Sequence, residues 1–155
     1  MTIIEVKTGK SKRVDVVPVN VEGLKILTKK RYFFSWKKEK AHTQLYKLCI
    51  VGEDDILGVM ALVDVPGDRR MEIKLLVSSK ENVGKEKMYD RIAGCLVGFA
   101  CKESVKRYGD LACVSLKPKT ELREHYRNKY GMIDAGLQLC VEGLSLIKLI
   151  NKYLI

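Results

Sequence analysis

The residues best placed to do chemistry lie between Met71 and Ala100, MEIKLLVSSKENVGKEKMYDRIAGCLVGFA. The stretch opens with a mostly apolar run, Ile73 to Val77, which predicts a buried strand. A polar loop follows from Ser78 to Lys87 and carries Gly84 and three lysines. Arg91-Ile92-Ala93-Gly94 then opens a helix that carries Leu96, Phe99 and Ala100. That order suits an anion. The first amides of a helix lack intrahelical partners, and the helix dipole is positive there. Small residues let a phosphate approach the backbone closely. A glycine between strand and helix also serves simply to pack the two, and the residues alone leave both readings open.

Other chemistries find less support. The five cysteines, Cys49, Cys95, Cys101, Cys113 and Cys140, form no CxxC pair. Most sit in apolar runs and read as reduced core thiols of a cytosolic protein. His42 and His125 are the only histidines, which leaves no ligand cluster for zinc and no Ser/His/Asp or Cys/His arrangement. The formal net charge is +10. It points to an anionic partner, whether nucleic acid or a nucleotide-containing cofactor, or only to solubility. The basic residues are spread along the chain rather than gathered in a tail.

The elements that must position these residues follow from periodicity and turn signals. A chain of 155 residues with 46% apolar content reads as one domain, 1–155, with a real core. No run of about 18 apolar residues predicts a membrane span, and the N-terminus lacks a signal-peptide core. A cytoplasmic location is therefore expected. Thr2–Val6 and Val14–Val19 are β-like, and one of them should be the first strand of the main sheet. Pro18 marks an edge or a strand end. Val21–Tyr32 predicts one short helix capped by Asn20. Tyr32-Phe33-Phe34-Ser35-Trp36 is either a core plug or a wall of a substrate cleft. Lys37–His42 reads as exposed. Gln44–Val51, Ile56–Val65 and Met71–Val77, joined by short turns, predict an antiparallel meander. Gly58 suggests a bulge or close packing. A helix from about Asp90 to Tyr108 leads to a strand at Ala112–Leu116, which makes a parallel βαβ crossover. Thr120 is expected to cap a second helix that ends at Gly131, with Leu122, Tyr126 and Tyr130 on one face. Leu137–Val141 reads as a strand, and Leu144–Leu154 has helical periodicity.

In this order the chain resembles the GNAT superfamily of acyl-CoA-dependent N-acetyltransferases, from about Gln44 to Val141. KLLVSSKENVGKEKMYDRIAGCLVGFACKES resembles the family's strand and coenzyme A pyrophosphate loop. TELREHYRNKYGM resembles its short helix with a tyrosine, a few polar residues and Tyr-Gly. Glu81–Gly84, Glu-Asn-x-Gly, is similar to a long-loop bacterial branch. The loop departs from the family pattern at two positions. Met88 stands where Gln or Arg is usual, and Arg91 stands where the first glycine is usual, whereas Ala93 fits and Gly94 follows it. Arg91 either offers a guanidinium to the pyrophosphate or obstructs the loop. Lys119 stands nearest the place of a common family asparagine.

The resemblance implies an α/β (α+β by some schemes) fold: a mixed, mostly antiparallel central sheet with helices on both faces and a parallel crossover near the middle. It implies transfer of an acetyl group from acetyl-CoA to a primary amine, by direct attack through a tetrahedral intermediate and without a metal. Tyr126 would protonate the leaving thiolate, and Glu72 would act as base, directly or through water. Backbone amides around Leu76 and Val77 would face the thioester oxygen if the family's strand bulge is present. Met88, Tyr89, Asp90, Arg91, Ile92, Ala93, Gly94 and Lys119 would hold the cofactor. His125 is a surface neighbour or an alternative base. The acceptor, a small molecule or a protein, would meet Asn20–Ala41 and Leu137–Ile155, where the lysines favour an acidic or neutral partner over a polycationic one. A monomer or homodimer is expected. A GNAT-like module that binds acyl-CoA weakly, or serves regulation, ranks second. A basic nucleic-acid-binding domain ranks third.

Overall fold

Ile56–Leu62 is apolar at every position because it is buried on both sides. Ile56, Val59 and Ala61 join one hydrophobic cluster, and Leu57, Met60 and Leu62 join another. Such a strand belongs at the middle of a sheet covered on both faces. The structure, a computed structural model that describes residues 1–155, places it there.

The strands are β1 (Thr2–Glu5), β2 (Ser11–Pro18), β3 (Gln44–Ile50), β4 (Ile56–Val65), β5 (Arg70–Ser78), β6 (Tyr89–Asp90), β7 (Cys113–Leu116), β8 (Ile133–Ala135) and β9 (Gln138–Glu142). They form one sheet in the order β6-β1-β2-β3-β4-β5-β7-β9-β8. Every neighbouring pair is antiparallel except β5 with β7, which is parallel. The expected meander and crossover are both present. The two N-terminal runs are both strands: β2 pairs with β3, and β1 folds back on β2.

The helices are α1 (Val21–Ile26), α2 (Lys29–Tyr32), α3 (Trp36–Lys40), α4 (Ile92–Tyr108), α5 (Arg123–Tyr130) and α6 (Gly143–Leu154). Tyr32, Trp36 and Leu27, from the α1–α3 region, pack on one face of the sheet with Leu45 and Val59. Residues of α4 and α6 pack on the other face with Ile3, Leu48 and Val114. Each large side chain buried this way contributes about 1.5–3 kcal/mol.

Two sequence expectations are corrected. Val21–Tyr32 is two helices, because Thr28 starts the second by accepting from the Arg31 amide at 3.4 Å. Asn20 caps the first as expected, accepting from Gly23 N–H at 2.6 Å. Lys37–His42 is exposed or half-buried, as expected, and its first four residues belong to α3, anchored by buried Trp36. Thr120 does not cap α5. It opens a 3₁₀ turn, Thr120–Leu122, and α5 starts at Arg123. The sequence reading also missed β8, whose three residues are all exposed and too few for their alternation to register as a pattern.

The thiols behave as core groups. Cys95 and Cys101 are buried, all five cysteines are free, and burial pushes the Cys95 thiol up to about 11.

Candidate active site

Strands β5 and β7 run side by side only from Arg70↔Cys113 to Ile73↔Leu116. There β7 ends, while β5 continues to Ser78. From Lys74 onward the edge of β5 that faces away from β4 has no strand partner. Its amides and carbonyls open into a cleft of about 620 Å³. Leu76 and Val77 line the cleft; of the two, Leu76 turns its amide to that edge, because alternate strand amides point to opposite edges and the Ser79 amide, two residues past Val77, bonds the Leu57 carbonyl of β4. A bulge marks the point of divergence. The β4–β5 pairing slips between Leu62↔Ile73 and Ala61↔Leu75, which leaves Lys74 unopposed. The bulge on which the sequence reading made the oxyanion amides conditional is therefore present.

The start of α4 forms a second wall. Its first intrahelical bond runs from Cys95 N–H to the Arg91 carbonyl at 2.9 Å. The amides of Ile92, Ala93 and Gly94 precede that ladder, and no side chain of the protein caps the helix. Arg91, Ile92, Ala93 and Gly94 all line the cleft, as do Tyr89 and Asp90. Asp90 accepts from Lys87 Nζ and from the Arg91 amide, each at 2.9 Å. The Lys87 bond, against the opposing effect of burial, holds its carboxyl below the usual range.

Arg91 explains one departure from the family loop. Its φ is +80°, the left-handed conformation that glycine adopts without penalty. The backbone thus keeps the shape that a glycine would give, in a residue that carries a guanidinium. Phe33, on the cleft wall, is a second non-glycine residue with positive φ, at +71°. Strained residues of this kind persist where the surroundings fix them, and they cluster at functional sites. Phe33 follows buried Tyr32, whose hydroxyl donates to the Ile56 carbonyl at 2.8 Å, and Trp36 Nε1 donates to the Tyr32 carbonyl at 3.0 Å. The aromatic cluster therefore divides. Tyr32 and Trp36 are core, and Phe33 and Phe34 line the cleft.

Helix α5 and the 3₁₀ turn before it supply the third wall through Leu122, His125, Tyr126 and Tyr130. Tyr126 is half-buried against the α4–α6 core, its ring centroid 5.6 Å from that of Tyr130. Burial raises its phenol pKa, so the hydroxyl keeps its proton across the neutral range. Lys119 lines the cleft beside Lys117. Five lysines (Lys74, Lys87, Lys117, Lys119 and Lys129) line the cleft or its rim, against the single carboxylate of Asp90. The balance suits a polyanionic ligand.

Two expected site residues lie outside the cleft wall. Met88 is 55% exposed and borders a smaller cavity with Arg31, Glu81 and Tyr89. Glu72 lies on the adjoining sheet surface and is fully engaged. It pairs with Arg70 at 3.0 Å and Lys74 at 3.3 Å, and accepts from Gln138 Nε2 at 2.9 Å. Burial alone would raise the Glu72 carboxyl. The bonds from Arg70, Lys74 and Gln138 outweigh that and hold it below the usual range.

Sequence reasoning missed the residues that fix the long loop. Buried Asn82 donates to Ser79 Oγ and accepts from the Tyr89 amide, both at 2.9 Å. Glu81 pairs with Arg31 at 2.8 Å and so ties the loop to α2. The signal in the sequence was the Glu81–Gly84 stretch, which the resemblance marked without giving Glu81 or Asn82 a role.

Solved acetyltransferases align with most of the chain. The ribosomal-protein-S18-alanine N-acetyltransferase from Escherichia coli matches with a TM-score of 0.62 and 10% identity, over 83% of this chain and 93% of its own. The NatC complex bound to Gag peptide and CoA contains a chain that matches with a TM-score of 0.60 and 14% identity, over 84% of this chain and 98% of its own. A GNAT family acetyltransferase from Elizabethkingia anophelis with acetyl-CoA bound matches with a TM-score of 0.58 and 12% identity, over 83% and 97%. The chain has the GNAT fold. No protein-family model and no curated protein sequence matches it. At these identities the likeness is one of architecture, and the GNAT reading of individual residues rests on the geometry above.

Proposed function

We propose that the chain is an acetyl-CoA-dependent N-acetyltransferase that acts on a primary amine. The observation that carries this reading is the cleft where β5 and β7 part. It places an open β5 edge, the uncapped start of α4 and the Tyr126 side chain around one cationic space. The α4 amides and the surrounding lysines would hold the pyrophosphate. The Leu76 backbone amide, beyond the Lys74 bulge, would stabilise the oxyanion formed when the amine attacks the thioester carbonyl. As the carbon–sulfur bond breaks, Tyr126 would give its proton to the thiolate. A phenol suits this role because it is still protonated at neutral pH.

The amine must lose a proton. Glu72 is a weak base, since two cations and an amide already occupy it. We assign Glu72 to fixing Arg70 and Lys74 beside the cleft. His125, which lines the cleft, is the group assigned to proton removal. The reading is tested by turnover of acetyl-CoA with a panel of amines. Tyr126→Phe should lower kcat by about 10²-fold and change acetyl-CoA affinity little. Equal loss in both would remove Tyr126 from the chemistry.

One observation favours a second reading, a weak acyl-CoA binder. The Arg91 guanidinium is turned away to the Thr2 and Lys152 carbonyls. The double change Met88→Arg with Arg91→Gly decides between the two. We expect less than about a threefold gain in acetyl-CoA affinity, because the left-handed backbone is already in place. A large gain would mark the natural loop as impaired.

A further inference from the structure

Arg91 joins two helices at once. Its backbone is the residue from which α4 departs. Its side chain reaches the end of α6: Nη2 donates to the Lys152 carbonyl at 2.7 Å, Nε donates to the Thr2 carbonyl at 3.3 Å, and the guanidinium lies 4.9 Å from the centroid of the buried Tyr153 ring. A cation at the last carbonyls of a helix is favoured by the helix dipole, and a guanidinium over an aromatic face adds cation–π attraction. The same Tyr153 ring packs against Gly94 so closely that a Cβ at Gly94 would overlap it. The end of α6 therefore touches the first turn of α4 at two of the residues that line the cleft.

We propose that Arg91 is a positioning residue for the cofactor. Its contacts to α6 hold a strained left-handed backbone that aims the amides of Ile92, Ala93 and Gly94 into the cleft, so that α6 is part of the cofactor site without touching the cofactor. The inference rests on the acetyl-CoA reading. Its physical basis is that a non-glycine residue keeps φ near +80° only when its surroundings enforce it. Removing the guanidinium but keeping a Cβ leaves the strain without its restraint. Removing both leaves no strain to restrain.

Arg91→Ala and Arg91→Gly separate the roles. In Arg91→Ala the KM for acetyl-CoA should rise about tenfold while kcat stays within about twofold. In Arg91→Gly the KM should return to within about threefold of the unaltered protein. Amide hydrogen exchange of the ligand-free protein supplies a readout independent of activity. Exchange at 95–98, the first hydrogen-bonded amides of α4, and at the end of α6 should quicken in Arg91→Ala, and Arg91→Gly should restore protection at 95–98 only. Equal rises in KM for both variants would overturn the proposal, because a guanidinium that binds pyrophosphate directly is lost identically in each. Unchanged KM and exchange in Arg91→Ala would also overturn it. If the unaltered protein binds no acetyl-CoA, the activity reading fails and takes the cofactor part of this inference with it, and the exchange pattern then tests the contact between the helices alone.

Discussion

Tyr126 and Glu72 were singled out together by the resemblance, and their surroundings separate them. Tyr126 lines the cleft with its phenol pKa raised by burial. Glu72 is locked into a network with Arg70, Lys74 and Gln138. We therefore expect His125→Ala to reduce kcat more than Glu72→Gln does, as measured by steady-state kinetics with saturating acetyl-CoA. Glu72 should show its effect in stability instead. Its carboxyl titrates below its unfolded value, so its contribution is present above about pH 4.5 and is lost as pH falls through the lower folded value. Glu72→Gln should cost about 1–2 kcal/mol at pH 7, and the difference should shrink as pH falls below the ordinary carboxylate range, as followed by urea denaturation at each pH. The motif around Tyr126 was legible because a helix, a tyrosine and Tyr-Gly occur in one short run. The partners of Glu72 were not, since Gln138 lies 66 residues away on another strand.

At the scale of elements, the loop and the helix it feeds depend on contacts that no local pattern reveals. Arg91 sits where a glycine is usual. Its identity alone left two opposite readings, and the φ of +80° together with the pull of α6 decided which atoms matter. Gly94 is a similar case. In sequence it is a small residue near a phosphate, whereas in the fold it is also the surface on which Tyr153 rests. Gly94→Ala gains up to about 1 kcal/mol of helix propensity but overpacks a buried ring, which costs about 1–3 kcal/mol. We expect net destabilisation and a lower melting temperature. Arg31 is the comparable link on the other side. It joins α2 to Asp55 at 2.8 Å and to Glu81 of the loop at 2.8 Å. The split of α1 from α2 escaped the sequence reading because Leu24, Ile26 and Leu27 keep a helix-like spacing up to the break, and only the Thr28 cap marks it.

The whole molecule was the most legible level. Short turns between apolar runs dictate the meander, and a helix between two strands dictates the parallel pair. What periodicity does not encode is where paired strands stop pairing. The parting of β5 and β7 after Ile73 and Leu116 creates the cleft, and it follows from β7 being short rather than from any motif. The net charge of +10 also acquires a place, since five lysines surround that cleft or its rim. Binding of a polyanion there should weaken about tenfold between low salt and 0.5 M salt, and a neutral pantetheine fragment should show no such dependence.

Calorimetric titration of the unaltered protein with acetyl-CoA tests the central claim most directly. The account predicts one site that saturates in the micromolar range, weakened by salt. No heat of binding at about 1 mM acetyl-CoA and low ionic strength would contradict it.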